Sequence, residues 1–162
     1  MGLPMWVFGL STWAFYQNGV IFKHDSQLSF FQDGRGHPIP LPYTAYSYIQ
    51  VQGDEIVCIA ASACESSVII RANRMGQFEI LCRSRIDSVA QDTVSVPQAI
   101  SFPSLEGRVA YAWFYPPKNP LFEGPNGTLP PLIVMCHGGP TAQASDELNL
   151  GIQYWTSRGF AI

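Results

Sequence analysis

Charge is scarce in this sequence: 9 of its 162 residues are Lys or Arg and 12 are Asp or Glu, for a net charge of −3. Such a balance gives no basic footprint for DNA, RNA or an anionic lipid surface, so neither nucleic acid nor membrane is an expected partner. No apolar run reaches bilayer-spanning length. Met1-Gly2-Leu3-Pro4-Met5-Trp6 has neither a basic n-region nor a small-residue cleavage site, which makes a cytoplasmic location the default expectation. Cys58, Cys64, Cys82 and Cys136 show no C-x-x-C spacing and no histidine pattern beside them. That excludes a zinc-type site and leaves small buried thiols as the plain reading, with Cys58 and Cys136 inside apolar runs. Gly34-Arg35-Gly36 lacks the third glycine and the helix of a nucleotide loop, and no cofactor is expected.

What is present is apolar. With 47% apolar and 13% aromatic residues the chain can bury a core and is not a disordered segment. From Trp6 to about Arg85 short strands alternate with turn residues. The first set is Trp13-Ala14-Phe15-Tyr16, then residues 20–23 and 27–31, closed by a turn at Asp33-Gly34-Arg35-Gly36. A second set echoes it at residues 46–51, 55–60, 67–71 and 78–81. Tyr16-Gln17-Asn18-Gly19 and Val51-Gln52-Gly53-Asp54 hold comparable places 35 residues apart. Four strands repeated at roughly forty residues is the pattern of propeller blades, although a small β-sandwich of similar strand count fits the periodicity alone as well.

Residues 86–96 read as a linker. An antiparallel pair follows, residues 99–103 and 108–115 around a turn at Glu106-Gly107. Residues 116–131 then hold six of the thirteen prolines and must run outside any sheet, because proline cannot donate to a ladder. Asn126-Gly127-Thr128 fits the glycosylation sequon and reads as a turn.

The centre of the sequence is residues 131–140. Leu132-Ile133-Val134-Met135-Cys136 is an uncharged apolar run, expected to be a strand buried on both faces of a mainly parallel sheet. It ends in His137-Gly138-Gly139-Pro140, where two glycines allow a sharp turn with N–H groups free to hold an anion or a developing oxyanion. Downstream, Ser145 is the expected helix cap, with Asp146 and Glu147 in the first turn. Leu148, Ile152 and Trp155 form the apolar stripe, and Arg158-Gly159 the close. Phe160-Ala161-Ile162 then opens another strand.

His137-Gly138-Gly139-Pro140, together with residues 148–155 and Ser157-Arg158-Gly159-Phe160-Ala161, resembles the prolyl oligopeptidase family of serine peptidases, particularly its dipeptidyl-peptidase and acylaminoacyl-peptidase-like members. The resemblance runs from Trp6-Val7-Phe8-Gly9 through Tyr115-Pro116-Pro117 to the end. It implies a fold class: the N-terminal part of an α/β-hydrolase preceded by β-propeller blades, mostly β in this stretch. Residues 1–85 would be the last blades, 86–96 a linker and 97–162 the beginning of the peptidase domain, cut before the nucleophile. It also implies that His137, Gly138, Gly139 and Pro140 form the oxyanion loop, with the Gly139 N–H favoured as donor and Gly138 next.

Acyl transfer needs a nucleophile, a base and an orienting carboxylate besides the oxyanion donors. The sole near-match to G-x-S-x-G is Gly9-Leu10-Ser11-Thr12-Trp13, which lacks the second glycine and the strand-to-helix context. His24-Asp25 and His37-Pro38 sit at turns and read as solvated. His137 precedes any nucleophile, the wrong chain order for the base of this fold, so it is expected to shape the loop. The triad is therefore expected beyond Ile162, in the remainder of the same polypeptide, and the 162 residues alone are expected to be inactive. Peptides cleaved through an acyl-enzyme are the implied substrates. An esterase of the same fold and a non-catalytic β-rich binding remnant stay open as alternatives, as does the oligomeric state.

Overall fold

A computed structural model describes residues 8–85, 89–139 and 142–162. The chain divides into two compact units, Met1–Asp87 and Ser88–Ile162.

The first unit is two four-stranded antiparallel meanders. β1 (Trp13–Tyr16), β2 (Gly19–His24), β3 (Gln27–Gln32) and β4 (Arg35–Pro38) pair in sequential order, and so do β5 (Ala45–Gln52), β6 (Glu55–Ala61), β7 (Val68–Ala72) and β8 (Phe78–Arg83). Each strand follows its predecessor through a short connection, so neighbours in sequence are neighbours in the sheet. β4 corrects the sequence reading, which ended the first set in a turn at residues 33–36. The turn is tighter: Asp33 and Gly34 both have positive φ, the two-residue geometry that matches strand twist, and Arg35 already pairs with Gln32.

Alternation decides which side chains go inward. Along β7, Val68, Ile70 and Ala72 are buried while Ile69 and Arg71 face out. β5 breaks this period. Tyr46 and Ile49 are both buried although three residues apart, because the pairing with β6 slips between Ser47 and Gln50. Tyr48 takes up the extra residue with φ +52°, and the Ile49 N–H leaves the ladder to donate to the Ser11 carbonyl at 3.1 Å. Tyr16, Ile21, Leu28 and Phe30 join Tyr43, Tyr46, Ile49, Ile56, Cys58, Val68 and Ile70 in one apolar core shared by the two sheets.

The second unit begins with a short 3₁₀ turn, Gln91–Thr93, followed by buried Val94 and Ser95. β9 (Gln98–Pro103) and β10 (Val109–Phe114) form an antiparallel hairpin closed by a 3₁₀ turn at Leu105–Gly107. Beyond β10, Tyr115 and Ile162 exchange both backbone hydrogen bonds, at 2.9 and 3.0 Å. Ala161 donates to the Pro131 carbonyl and accepts from the Ile133 N–H, both at 2.9 Å, which makes a parallel bridge between Leu132 and Ala161. The helix α1 (Leu150–Thr156) lies in the chain between those two partners.

Residues 132–136 depart from the expected doubly buried strand. They pair only at the Leu132 bridge, and Leu132, Val134 and Met135 are exposed, as is Cys136. Apolar composition signals a strand suited to burial, but burial needs neighbours on both faces. Among the described residues Ala161 alone pairs with this run. Cys58, by contrast, is buried in the core of the first unit.

Candidate functional site

The His-Gly-Gly loop leaves the bridge at Leu132 and runs out into solvent. His137, Gly138 and Gly139 are all exposed. Gly139 has φ +71°, a conformation that glycine adopts without a Cβ clash. A Cβ built on Gly138 or Gly139 meets nothing within 4 Å. Among the described residues neither N–H finds an acceptor. Two exposed and unengaged amides in a glycine loop beyond the isolated Leu132 bridge can receive an anion. Pro140, the fourth residue of the expected loop, lies outside the described residues.

The chain returns from the loop through a second set of anchors. The Tyr115 hydroxyl donates to the Ser145 carbonyl at 3.4 Å. Burial, and then the charge of Asp146, push the Tyr115 phenol above its ordinary pKa, so it stays a donor. Ser145 does not cap the helix as its sequence context suggests. Its hydroxyl accepts from the Glu147 N–H at 3.1 Å and donates to the Glu147 carboxylate at 3.0 Å, a local turn. The cap is Asn149, whose Oδ1 accepts from the N–H groups of Gly151 at 2.9 Å and Ile152 at 3.3 Å.

Helix α1 also buries a different face from the expected Leu148, Ile152 and Trp155 stripe. Its buried residues are Gln153 and Thr156, while Trp155 is exposed and stacks edge-on with Tyr154 and Phe160. The Gln153 amide substitutes for a strand neighbour. Its Oε1 accepts from the Ser95 N–H at 2.7 Å and its Nε2 donates to the Ser95 carbonyl at 3.1 Å. The Ser95 hydroxyl donates to the Pro116 carbonyl at 2.5 Å. A helix otherwise too short to hold itself is thereby fixed to the residues that precede β9.

The helix close agrees with the sequence. Gly159 has φ +88°, its N–H donates to Thr156 and that of Phe160 to Trp155, the paired bonds of a Schellman ending. Arg158 donates to the Tyr154 carbonyl at 2.9 Å and lies 3.7 Å from the centre of its ring. Asn119 donates to the Ser157 carbonyl at 2.8 Å, tying the start of the proline-rich loop to the same helix end.

No other serine, histidine or carboxylate from the sequence reading forms a catalytic constellation among the described residues. The Ser11 hydroxyl is spent on the Trp13 carbonyl at 2.5 Å, just before β1. His24 sits 3.6 Å from Asp25, both well exposed, and His37 is exposed on β4 opposite Phe30. The links that sequence reasoning missed are Asn149, Gln153 with Ser95, and Tyr115 with Ser145. Only Asn149 left a signal, as a capping residue immediately before a helical run.

Two antiparallel meanders followed by a hairpin, a glycine loop and a short capped helix make up an arrangement that recurs in solved peptidases. A puromycin-hydrolysing peptidase of Mycobacterium tuberculosis matches 98% of this chain with a TM-score of 0.91 and 27% identity. A puromycin hydrolase matches 98% of it at 0.86 and 30% identity, and in a second structure, a complexed variant, at 0.87 and 29%. The resemblance to the prolyl oligopeptidase family seen in the sequence therefore stands, over nearly the whole chain. The chain spans 26% and 25% of the length of those solved chains. No family model matches it, and no curated protein does.

Proposed function

We propose that these 162 residues are part of a serine peptidase that cleaves short peptides and aminoacyl amides through an acyl-enzyme, with His137, Gly138, Gly139 and Pro140 as its oxyanion loop. The observation that carries this is the unengaged Gly138–Gly139 loop, set between the Leu132–Ala161 bridge and a capped helix in a chain of which 98% matches part of a puromycin-hydrolysing peptidase. The Gly139 N–H is the favoured donor. One such donor is worth about 10²–10³ in turnover when the negative charge develops. Residues 97–162 are read as the start of an α/β-hydrolase domain and residues 1–85 as propeller blades joined to it by 86–96. His137 shapes the loop and is not the base. Nucleophile, acid and base come from the remainder of the polypeptide, so the 162 residues alone do not turn over substrate.

The test is the intact mass of the native gene product after treatment with a fluorophosphonate, which bonds covalently to an activated serine. A labelled protein that contains these residues and hydrolyses puromycin or aminoacyl amides supports the reading. An unlabelled product overturns it, and cleavage of small esters without amides would replace it with an esterase.

A further inference from the structure

The proline-rich loop holds the dipeptide Asn126-Gly127, and we propose that Asn126 is a site of spontaneous deamidation, the single asparagine of this chain that the fold leaves open to it. In that reaction the Gly127 amide nitrogen, having given up its proton, attacks Asn126 Cγ. The new N–Cγ bond closes a five-membered succinimide, the Cγ–Nδ2 bond breaks, and Nδ2 leaves as ammonia with a proton from the medium. Water then opens the ring at either carbonyl, giving aspartate or isoaspartate, each with one added negative charge. Nothing is oxidised or reduced, and water is the sole co-reactant.

The step needs a following N–H that is unhindered and unengaged, and a side-chain amide not held elsewhere. Asn126 and Gly127 occupy the centre of a turn in which the Thr128 N–H donates to the Pro125 carbonyl at 3.1 Å and the Thr128 hydroxyl donates to the same oxygen at 2.7 Å. Gly127 has φ +77° while Asn126 has none of the positive values, the pattern of a type II turn, whose central peptide makes no bond within the turn. Both residues are exposed, and a Cβ on Gly127 meets nothing within 4 Å, so the peptide can rotate toward the Asn126 side chain without collision. Among the described residues the Gly127 N–H has no acceptor and the Asn126 amide no partner.

The other four of the chain's five asparagines are each blocked by a different feature. Asn18 also precedes a glycine, but Gly19 is locked opposite Tyr16 in the β1–β2 ladder. A Cβ there would lie 2.4 Å from the Phe31 carbonyl oxygen, so that peptide has no room to turn. Asn73 accepts from the N–H groups of Met75 and Gln77 and donates to the Gln77 side chain. Asn119 precedes a proline, which has no N–H to act as nucleophile. Asn149 is held by the helix it caps.

The experiment is storage of the purified native protein in ammonia-free buffer at mildly alkaline pH, sampled over time by peptide mapping and by methyl transfer from an isoaspartyl methyltransferase. Progressive conversion of the Asn126 peptide, with isoaspartate formed and the Asn18 peptide unchanged, is the expected result. A Gly127→Ala variant should convert markedly more slowly. Retention of the Asn126 amide, a glycan on it, conversion of Asn18 at the same rate, or a Gly127→Ala variant as fast as the parent would each overturn the proposal.

Discussion

The Tyr16 hydroxyl donates to the backbone carbonyl of Asp54 at 3.1 Å, joining the tip of the β1–β2 hairpin to the tip of the β5–β6 hairpin. Beside it the Gln17 amide donates to the Asp54 carboxylate at 2.5 Å. These tips are the two echoed sequence positions, and corresponding corners of successive four-stranded sheets thus touch, as they do when blades stack around a common axis. The Tyr16 ring is buried against Phe30, so its hydroxyl is the only part free to make the link. Replacing Tyr16 by Phe keeps the ring and deletes the bond. The expected loss is about 0.5–1.5 kcal/mol, read as a lower midpoint in urea with an unchanged slope. A variant as stable as the parent would mean that the Asp54 carbonyl is equally well served by water.

Gly76 in the first unit sits where the chain runs against itself, and Gly53 offers the control. A Cβ on Gly76, whose φ is +82°, would lie 2.6 Å from both the carbonyl oxygen and the ring of Pro40. Gly53 also has positive φ, +61°, but a Cβ there meets nothing. Gly53→Ala should therefore cost only the backbone strain, about 1–2 kcal/mol. Gly76→Ala adds an overlap that cannot relax without moving Pro40 and should cost about 1–3 kcal/mol more. Thermal unfolding of the two variants checks the order, and equal losses would rule out the close approach at Pro40.

How far the sequence speaks depends on the range of the interaction. Strands β5–β8 were legible because turn residues and, outside the slip in β5, alternation are local, and the β5–β6 and β7–β8 turns sit where Gly53 and Gly76 permit them. The helix end at Arg158-Gly159 was legible for the same reason. The helix start was not, since Ser145 and Asn149 are both good caps and only the surrounding chain chooses between them. Residues 132–136 showed their apolar composition but not their exposure, which depends on what lies beside them. Of the site, the glycine turn could be read, whereas the bond from Gln153 to a residue 58 positions away follows no periodicity.

That bond makes a sharp case for a buried amide. Gln153 is 7% exposed and Ser95 1%, so in the folded chain the Ser95 N–H and carbonyl are screened from water and rely on the Gln153 side chain. Gln153→Ala leaves both backbone groups unpaired, at about 1–3 kcal/mol each before any water enters. A total loss of about 2–4 kcal/mol is expected. Gln153→Leu fills the volume but should not recover stability, because shape was not what was lost. Recovery in the Leu variant, measured by chemical denaturation, would show packing and not pairing to be the role of this residue.

Cys58 supplies the pH dependence. Burial in the first unit pushes its thiol from 9.0 up to about 12. Burial also leads the upward shifts of the Tyr16, Tyr43, Tyr46 and Tyr115 phenols. In each case the folded state holds a proton that the unfolded chain releases more readily, so stability is fully present below the unfolded pKa and is lost as pH rises toward the folded one. Urea midpoints should accordingly be flat up to about pH 9 and fall between about pH 9 and 12. Cys58→Ala should flatten the first part of that fall while lowering stability at neutral pH through the cavity it leaves. The same burial separates the thiols by reactivity. Near neutral pH a thiol reagent should modify the exposed Cys82 and Cys136 in the folded protein and reach Cys58 only on unfolding. Labelling of Cys58 as fast as Cys136 in the native state would show that the core of the first unit opens on the timescale of the reaction, and the alkaline slope would then belong to the tyrosines alone.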